Sequence, residues 1–341
     1  MSTATVSTTR GWIRRLRGVE LYLAVVIVVY IAVVGIVNPL FLDIGTLFDM
    51  LRSGAGVALL ALGVLTVLVS GGIDVSFTAI AIVSAYVGVR TALATGIDNL
   101  WLILFVAVTV GTLLGALNAV IIYAFRLPTL IVTLGTASAY HGAMAVLLGT
   151  TSYSRVQMPQ SLVEFGVVDI LRIPGHGGLS VYVAIVAFFA VLTWFILQRT
   201  MLGRSIYAVG SNEESASRLG INIFATKLFV YSYTGFLGAL MGVMYVSQLK
   251  YVNPVSLIGT ELLVLAAVLV GGVRLTGGVG TVLGALLGVV LLRLFVSTLV
   301  FLGLDSNWND LFFGSVLLAS LIVMYYRQRA RNRRALVFAT T

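Results

Sequence analysis

Apolar stretches about 20 residues long recur along the chain from Glu20 to Tyr326, each bounded by glycine, proline, asparagine or a cluster of charge. A bilayer core about 30 Å thick is crossed by roughly 20 residues of helix at about 1.5 Å each, so every such stretch is long enough to span. Hydrocarbon offers no partner to a bare N–H or C=O group, which makes a helix the form each stretch takes. Only 10% of the 341 residues are charged and 60% are apolar, against roughly 25% charged in a soluble domain. The fold class is therefore all-α, a polytopic membrane protein.

Breaking the stretches at Gly, Pro, Asn and charge predicts about ten transmembrane helices, near 20–37, 53–70, 75–95, 100–123, 128–149, 179–198, 227–248, 260–273, 279–303 and 309–326. With a cytoplasmic N-terminus, 15 of the 21 basic residues fall on the cytoplasmic face, among them Arg10, Arg14, Arg15, Arg17 and the tail from Arg327 to Arg334. Arg52, Arg90, Arg155, Arg172 and Lys250 fall on the other face, and Arg293 lies within a span. Cytoplasmic loops carry the Lys/Arg excess, so the expected orientation is N-in and C-in. The expected organisation is a basic N-terminus (1–19), a transmembrane domain (20–326) with a periplasmic loop at 150–178 and a cytoplasmic loop at 199–226, and a basic tail (327–341). No small-residue cleavage site follows the first apolar stretch, which reads as a retained helix. A short basic cluster directly after a span reads as an anchor on anionic membrane lipid, with no nucleic-acid partner.

The chain has no cysteine, and His141 and His176 are its only histidines. Disulfides and cysteine or histidine metal sites are excluded. No clustered acid, base and nucleophile appears, so no catalytic residue is assigned.

In the stretch "VSGGIDVSF", Gly71 and Gly72 precede Asp74 and Ser76 between two apolar runs. Two placements are open. Asp74 caps the third span at the cytoplasmic junction by accepting backbone N–H bonds, or it belongs to a broken helix that points its N-terminus into the pore. In the loop 199–226, Asn212 or Ser211 can cap a helix of about Glu213 to Leu219. Glu213 and Glu214 would sit in its first turn, Arg218 near its end and Gly220 as a left-handed terminus. Such a helix suits docking to another protein, with small Ala216 permitting close approach.

These residues carry a resemblance. "GRSIYAVGSNEESASRLGI" and the following "VYSYTGFLGALMGVMYVSQL" look like the coupling loop and next helix of permease subunits in ribose-type ATP-binding-cassette (ABC) sugar importers. "SGGIDVSF", "LPTLIVTLGT" and "TELLVLAAVLVGGVRLTGGVGTVLGALLG" are similar to three further segments of the same permeases, in the same order across residues 69–288. Phe77 and Thr78 replace the usual valine and glycine, Ser215 and Ser217 flank Ala216 where alanine is usual, and the run Asn307 to Asp310 resembles the autoinducer-2 branch more than the ribose branch.

The resemblance implies a type II importer-like permease of the branched-chain amino acid/monosaccharide superfamily. It would form the path for a ribose-, autoinducer-2- or other pentose- or hexose-like solute. Its implied partners are a cytoplasmic ABC ATPase that binds ATP and Mg²⁺, a periplasmic or lipid-anchored substrate-binding protein, and a second permease copy or paralogue. Gly203, Arg204, Gly210, Asn212, Glu213, Ala216, Arg218 and Gly220 would couple to the ATPase. The chain has no G-x-x-x-x-G-K-[ST] phosphate loop, so it needs no cofactor of its own. Gly71, Gly72, Asp74, Ser76, Asn118, Glu261, Gly271 and Gly272 are the path or gating candidates, and Arg52, Arg155, Arg172 and Lys250 the binding-protein docking candidates.

Asn118 either lines the path or bonds a neighbouring helix; Gly280, Gly284 and Gly288 form a ladder for close helix packing. Arg293 snorkels, pairs with Glu261 or Asp305, or faces the pore. The alternative function is an ion-coupled secondary transporter, which would depend on an intramembrane carboxylate pair; Asp74 and Glu261 are expected at helix ends instead.

Overall fold

The computed structural model describes residues 18–175 and 177–301, together with isolated positions between 308 and 322. The basic N-terminus to Arg17, His176, Asp305 and the basic tail lie outside the described residues, as does most of the tenth predicted span. Twelve α-helices follow in order. They are α1 (Gly18–Val37), α2 (Ile44–Val69), α3 (Phe77–Thr95), α4 (Leu100–Phe125), α5 (Thr129–Leu148), α6 (Gln160–Phe165), α7 (Val181–Arg199), α8 (Met201–Ser211), α9 (Glu213–Arg218), α10 (Ile223–Leu249), α11 (Glu261–Val270) and α12 (Val282–Phe301). An antiparallel hairpin of β1 (Asp169–Ile173) and β2 (Gly177–Ser180) stands between α6 and α7. Among the described residues, eight helices are long and apolar enough to cross a membrane.

Side-chain caps set many of these boundaries, since the first N–H groups of a helix need acceptors outside it. Asp43 accepts from Gly45, Asn99 from Trp101, Ser180 from Tyr182, Thr200 from Gly203, Asn212 from Ser215 and Asn222 from Ala225. The second span therefore starts at Ile44 rather than near residue 53. Arg52, which suggested the later start, is held by an ion pair with Asp169 of the hairpin. The predicted span 260–273 is corrected more deeply: it contains only the ten-residue α11, about 15 Å of helix and half a bilayer core.

Helix α10 is the axis of the bundle, packed against α4, α2 and α3. Its glycines permit this, because lipid supplies no hydrophobic drive between helices and close backbone approach has to supply dispersion contacts instead. A Cβ on Gly235 would fall 2.1 Å from the carbonyl oxygen of Gly111 on α4, and one on Gly242 would fall 2.0 Å from that of Ala81 on α3. The predicted ladder on α12 acts similarly, with Gly284 seated on Gly271 and Gly288 on Ala267. The outward faces of α1 and α4 remain apolar and exposed, as at Val28, Ile36, Trp101 and Phe105, which is the surface a lipid-facing helix requires.

One end of the bundle carries α8 and α9, and the other carries α6 and the hairpin. At the hairpin end, Tyr153 pairs with Val252 across an isolated bridge, and Asp98 accepts from the backbone N–H groups of Gln160 and Ser161 at the start of α6. Desolvation opposes the charge on Asp98, but the bonds from Ser161 and Gln160 outweigh it and hold the carboxyl below its usual range. A depressed folded value means this tie is intact above the ordinary carboxylate range and is lost as pH falls through it. Asp98→Ala is expected to speed amide exchange at Gln160 and Ser161 at neutral pH while leaving α10 protected, as read by hydrogen–deuterium exchange. Gly235→Val is expected to lower stability by about 2 kcal/mol or more through overpacking, measured by thermal unfolding of the purified protein.

Candidate functional site

Between α2 and α3 the chain has no regular secondary structure from Gly72 to Val75. It runs inside the bundle: Asp74 is 1% exposed and Ser76 fully buried. Helix α10 gives a ruler. Gly72 lies against Tyr231, about 12 Å from the start of α10, and Phe77 lies against Gly238, about 22 Å along a helix about 40 Å long at 1.5 Å per residue. Helix α3 thus begins near the middle of the bundle.

A non-helical segment there must find outside partners for its backbone groups. Helix α5 supplies them. Thr129 Oγ1 accepts from the N–H of Ile73 at 2.9 Å, and Thr133 Oγ1 accepts from Val75 at 3.4 Å and donates to the carbonyl of Ile73 at 3.3 Å. These are the threonines of "LPTLIVTLGT", so that motif is the backbone partner of "SGGIDVSF". Asp74 Oδ1 accepts from the Ser76 N–H at 2.7 Å and from Ser76 Oγ at 2.6 Å. Asn118 Nδ2 then donates to Ser76 Oγ at 2.7 Å, and Tyr140 donates to Asn118 Oδ1 at 2.8 Å. Among the described residues, Asp74 Oδ2 has no hydrogen-bond partner.

Asp74 is therefore not a first-turn cap at a water-facing junction. Its carboxylate bonds a residue just before α3, and the broken-helix placement is the one observed. Asn118 is fully buried and bonds Ser76 and Tyr140 across helices.

A second break mirrors the first. After the bridge at Val252 the chain runs through turns, with Val255 and Ile258 exposed and positive φ at Leu257 (φ 70) and Gly259 (φ 90), and α11 begins at Glu261. Thr78 Oγ1 donates to Glu261 Oε1 at 2.5 Å, so the starts of α3 and α11 meet mid-bundle. Both carboxylates expected at helix ends do lie at helix starts, but those starts are internal.

The turn before the first break and the loop after α11 converge on α8. Gly210 packs on Val69 so tightly that a Cβ would fall 1.8 Å from its carbonyl oxygen. Gly278, in the loop after α11, donates its N–H to the same oxygen at 2.9 Å, and Gly277 lies against both Gly210 and Gly71. Gly71 turns there with φ 83, a conformation that favours glycine. Gly271 ends α11 against Gly284, and Gly272 lies beside Val19 of α1, whose neighbour Glu20 accepts from Thr281 at 2.5 Å.

Helix α9 stands on this junction, capped by Asn212 at Ser215 (2.7 Å) and closed by Gly220 at φ 80. Glu213 pairs with Lys227 at 2.8 Å and Arg218 with Glu214 at 2.6 Å. Arg204 is exposed, whereas Gly203 is buried against the end of α7. Ala216 is 2% exposed, covered by its own chain, so it offers no approach to a partner. Leu219, which no sequence pattern singled out, is 80% exposed and presents an apolar side chain beside Arg218. At the hairpin end Arg155 and Arg172 are exposed, Arg52 is engaged by Asp169, and Lys250 is half-buried as the left-handed terminus of α10.

Asn118→Leu leaves Ser76 and Tyr140 without their shared partner in a buried site, with an expected cost of about 1–3 kcal/mol. In a double-mutant cycle with Tyr140→Phe, thermal unfolding is expected to show clear non-additivity.

The family described as "Branched-chain amino acid transport system / permease component" matches residues 46–321. The "Autoinducer 2 import system permease protein LsrC" of Enterobacter sp. (strain 638) is 34% identical over 327 residues, 95% of this chain and 92% of the relative. The protein of the same name from Yersinia pestis (strain Pestoides F) is 34% identical over 292 residues, 85% of this chain and 80% of the relative. No solved structure matches the chain.

Proposed function

This chain belongs to the branched-chain amino acid transport system permease-component family, and from that premise we propose that it forms the translocation path of an ATP-driven importer for autoinducer 2 or a similar small polyol. It is a multi-pass inner-membrane subunit without an ATPase site of its own. A cytoplasmic ABC ATPase and a substrate-binding protein work with it, the first supplying the sites for ATP and Mg²⁺.

The observation that carries the reading is mechanical. Helix α9 follows α8 directly, and Gly210 of α8 is seated on the turn that leads into the break before α3 and on the loop that follows α11. A displacement imposed on α9 is thereby delivered to Gly71 and to Gly277–Gly278 without passing through a flexible side chain. Packed elements of this kind shift between discrete arrangements and do not deform continuously. The ATPase would press on Leu219, Arg218 and the exposed acidic turn, and the breaks at α3 and α11 would move in response.

The α9 end is then cytoplasmic, in keeping with the basic residues concentrated on that side of the predicted topology. The hairpin end faces the binding protein, with Arg155 and Arg172 as the free cations. A second permease subunit, identical or paralogous, completes the path, and exposed faces such as that of α1 meet lipid.

Uptake of autoinducer 2 or D-ribose into vesicles carrying the chain, an ATPase and a binding protein should require internal or external ATP on the ATPase side. Uptake driven by a proton or sodium gradient through the chain alone would sink this reading in favour of ion coupling. Leu219→Asp is expected to reduce co-purification of the ATPase at least several-fold. Gly210→Ala should preserve co-purification while lowering ATP-driven uptake about tenfold or more.

A further inference from the structure

Beside the start of α11, toward the hairpin end, lies a cavity of about 310 Å³ between α2, α10, α11 and α12. Its lining is mostly apolar, with Leu60, Met241 and Leu263 among it, and includes three residues with polar side chains, Arg293, Tyr245 and Gln248. Arg293 donates one N–H to the carbonyl oxygen of Ser53. No carboxylate among the described residues pairs with it, Glu261 included. Tyr245 and Gln248 stand one turn apart on α10 and, among the described residues, make no side-chain hydrogen bond.

An intramembrane cation is costly and is kept where it has a partner or a wetted cavity. Here the guanidinium retains several donors in a fixed fork, a group suited to paired oxygens. The amide of Gln248 can donate and accept, and the phenol of Tyr245 adds a third polar group beside an aromatic face. The N-terminus of α11, a half-length helix, opens at Thr260 on the same cavity, and such ends favour negative or strongly polar groups. The volume lies at the bottom of the roughly 300–1,000 Å³ range of small-molecule sites.

We infer that this cavity is a binding station within a single subunit for a small polyhydroxylated solute, whose adjacent hydroxyl or anionic oxygens are held by Arg293 with Tyr245 and Gln248. The inference rests on the import reading and locates one stop on its path. Affinity there is modest, since a solute in transit has to leave.

The absence of cysteine from the chain makes a direct test clean. Val57→Cys, a lining position outside the polar trio, in the assembled complex in vesicles, is reacted with anionic and cationic methanethiosulfonate reagents, with and without millimolar D-ribose or autoinducer 2. The anionic reagent is expected to react about tenfold faster than the cationic one, and either solute to slow labelling at least threefold. Adding Arg293→Gln should abolish both effects; Arg293→Lys should keep the charge preference and lose the protection. Should the Arg293 variants fail to assemble, Tyr245→Phe is expected to weaken protection alone. Labelling indifferent to reagent charge, or unprotected by both solutes, overturns the station. ATP-driven uptake by the unsubstituted complex is measured alongside: uptake without protection refutes the station and spares the importer, whereas protection without uptake refutes the importer.

Discussion

The architecture depends on bonding a non-helical backbone inside a helical bundle. Residues 72–75 leave helical geometry where no water is at hand, and each unbonded N–H or C=O there would cost several kcal/mol. Thr129 and Thr133 of α5 meet that demand from across the bundle. Asp74, Ser76, Asn118 and Tyr140 extend the same solution into a buried chain of polar contacts joining the segment to α4 and α5. Without this chain α3 would have no fixed starting point, and Thr78 could not meet Glu261.

Two interrupted helices placed start to start give the bundle a polar level near its middle, while the turn before the first interruption and the loop after α11 lie together at the α9 end. Those loops are packed glycine to glycine, so the link between the exposed α9 and the buried breaks is made of backbone. Backbone contacts of this kind transmit a shift with little loss, because no rotamer is free to absorb it. A methyl group at Gly210 would clash with the carbonyl of Val69, so under the proposed coupling the same contact serves both stability and the transmission of motion.

Much of the framework was legible in the sequence, and for identifiable reasons. Apolar length gave the spans, and the residues of Asn212, Glu213 and Gly220 described α9 closely because capping is local chemistry. The glycine ladder on α12 was readable from its four-residue spacing. What escaped depends on contacts distant in sequence. A half-length helix at Glu261 has the hydropathy of a full span, and only its hydrogen bond to Thr78 marks where it starts. Arg52 looked like a surface charge until the hairpin supplied Asp169, and Ala216 looked available until the fold covered it.

The polar groups of the membrane interior divide into two populations, and burial tells them apart. Asp74, Ser76, Asn118 and Thr133 are spent on one another or on backbone and are sealed from solvent. Arg293, Tyr245 and Gln248 are half-buried, border a cavity and, among the described residues, leave most of their hydrogen-bonding capacity unused. A fold under selection for stability alone gains little from the second group, since an unpaired cation in a bilayer is a liability. The first group keeps the broken helices in place. The second meets the need of a solute that exchanges its water shell for a few protein contacts and then gives them up.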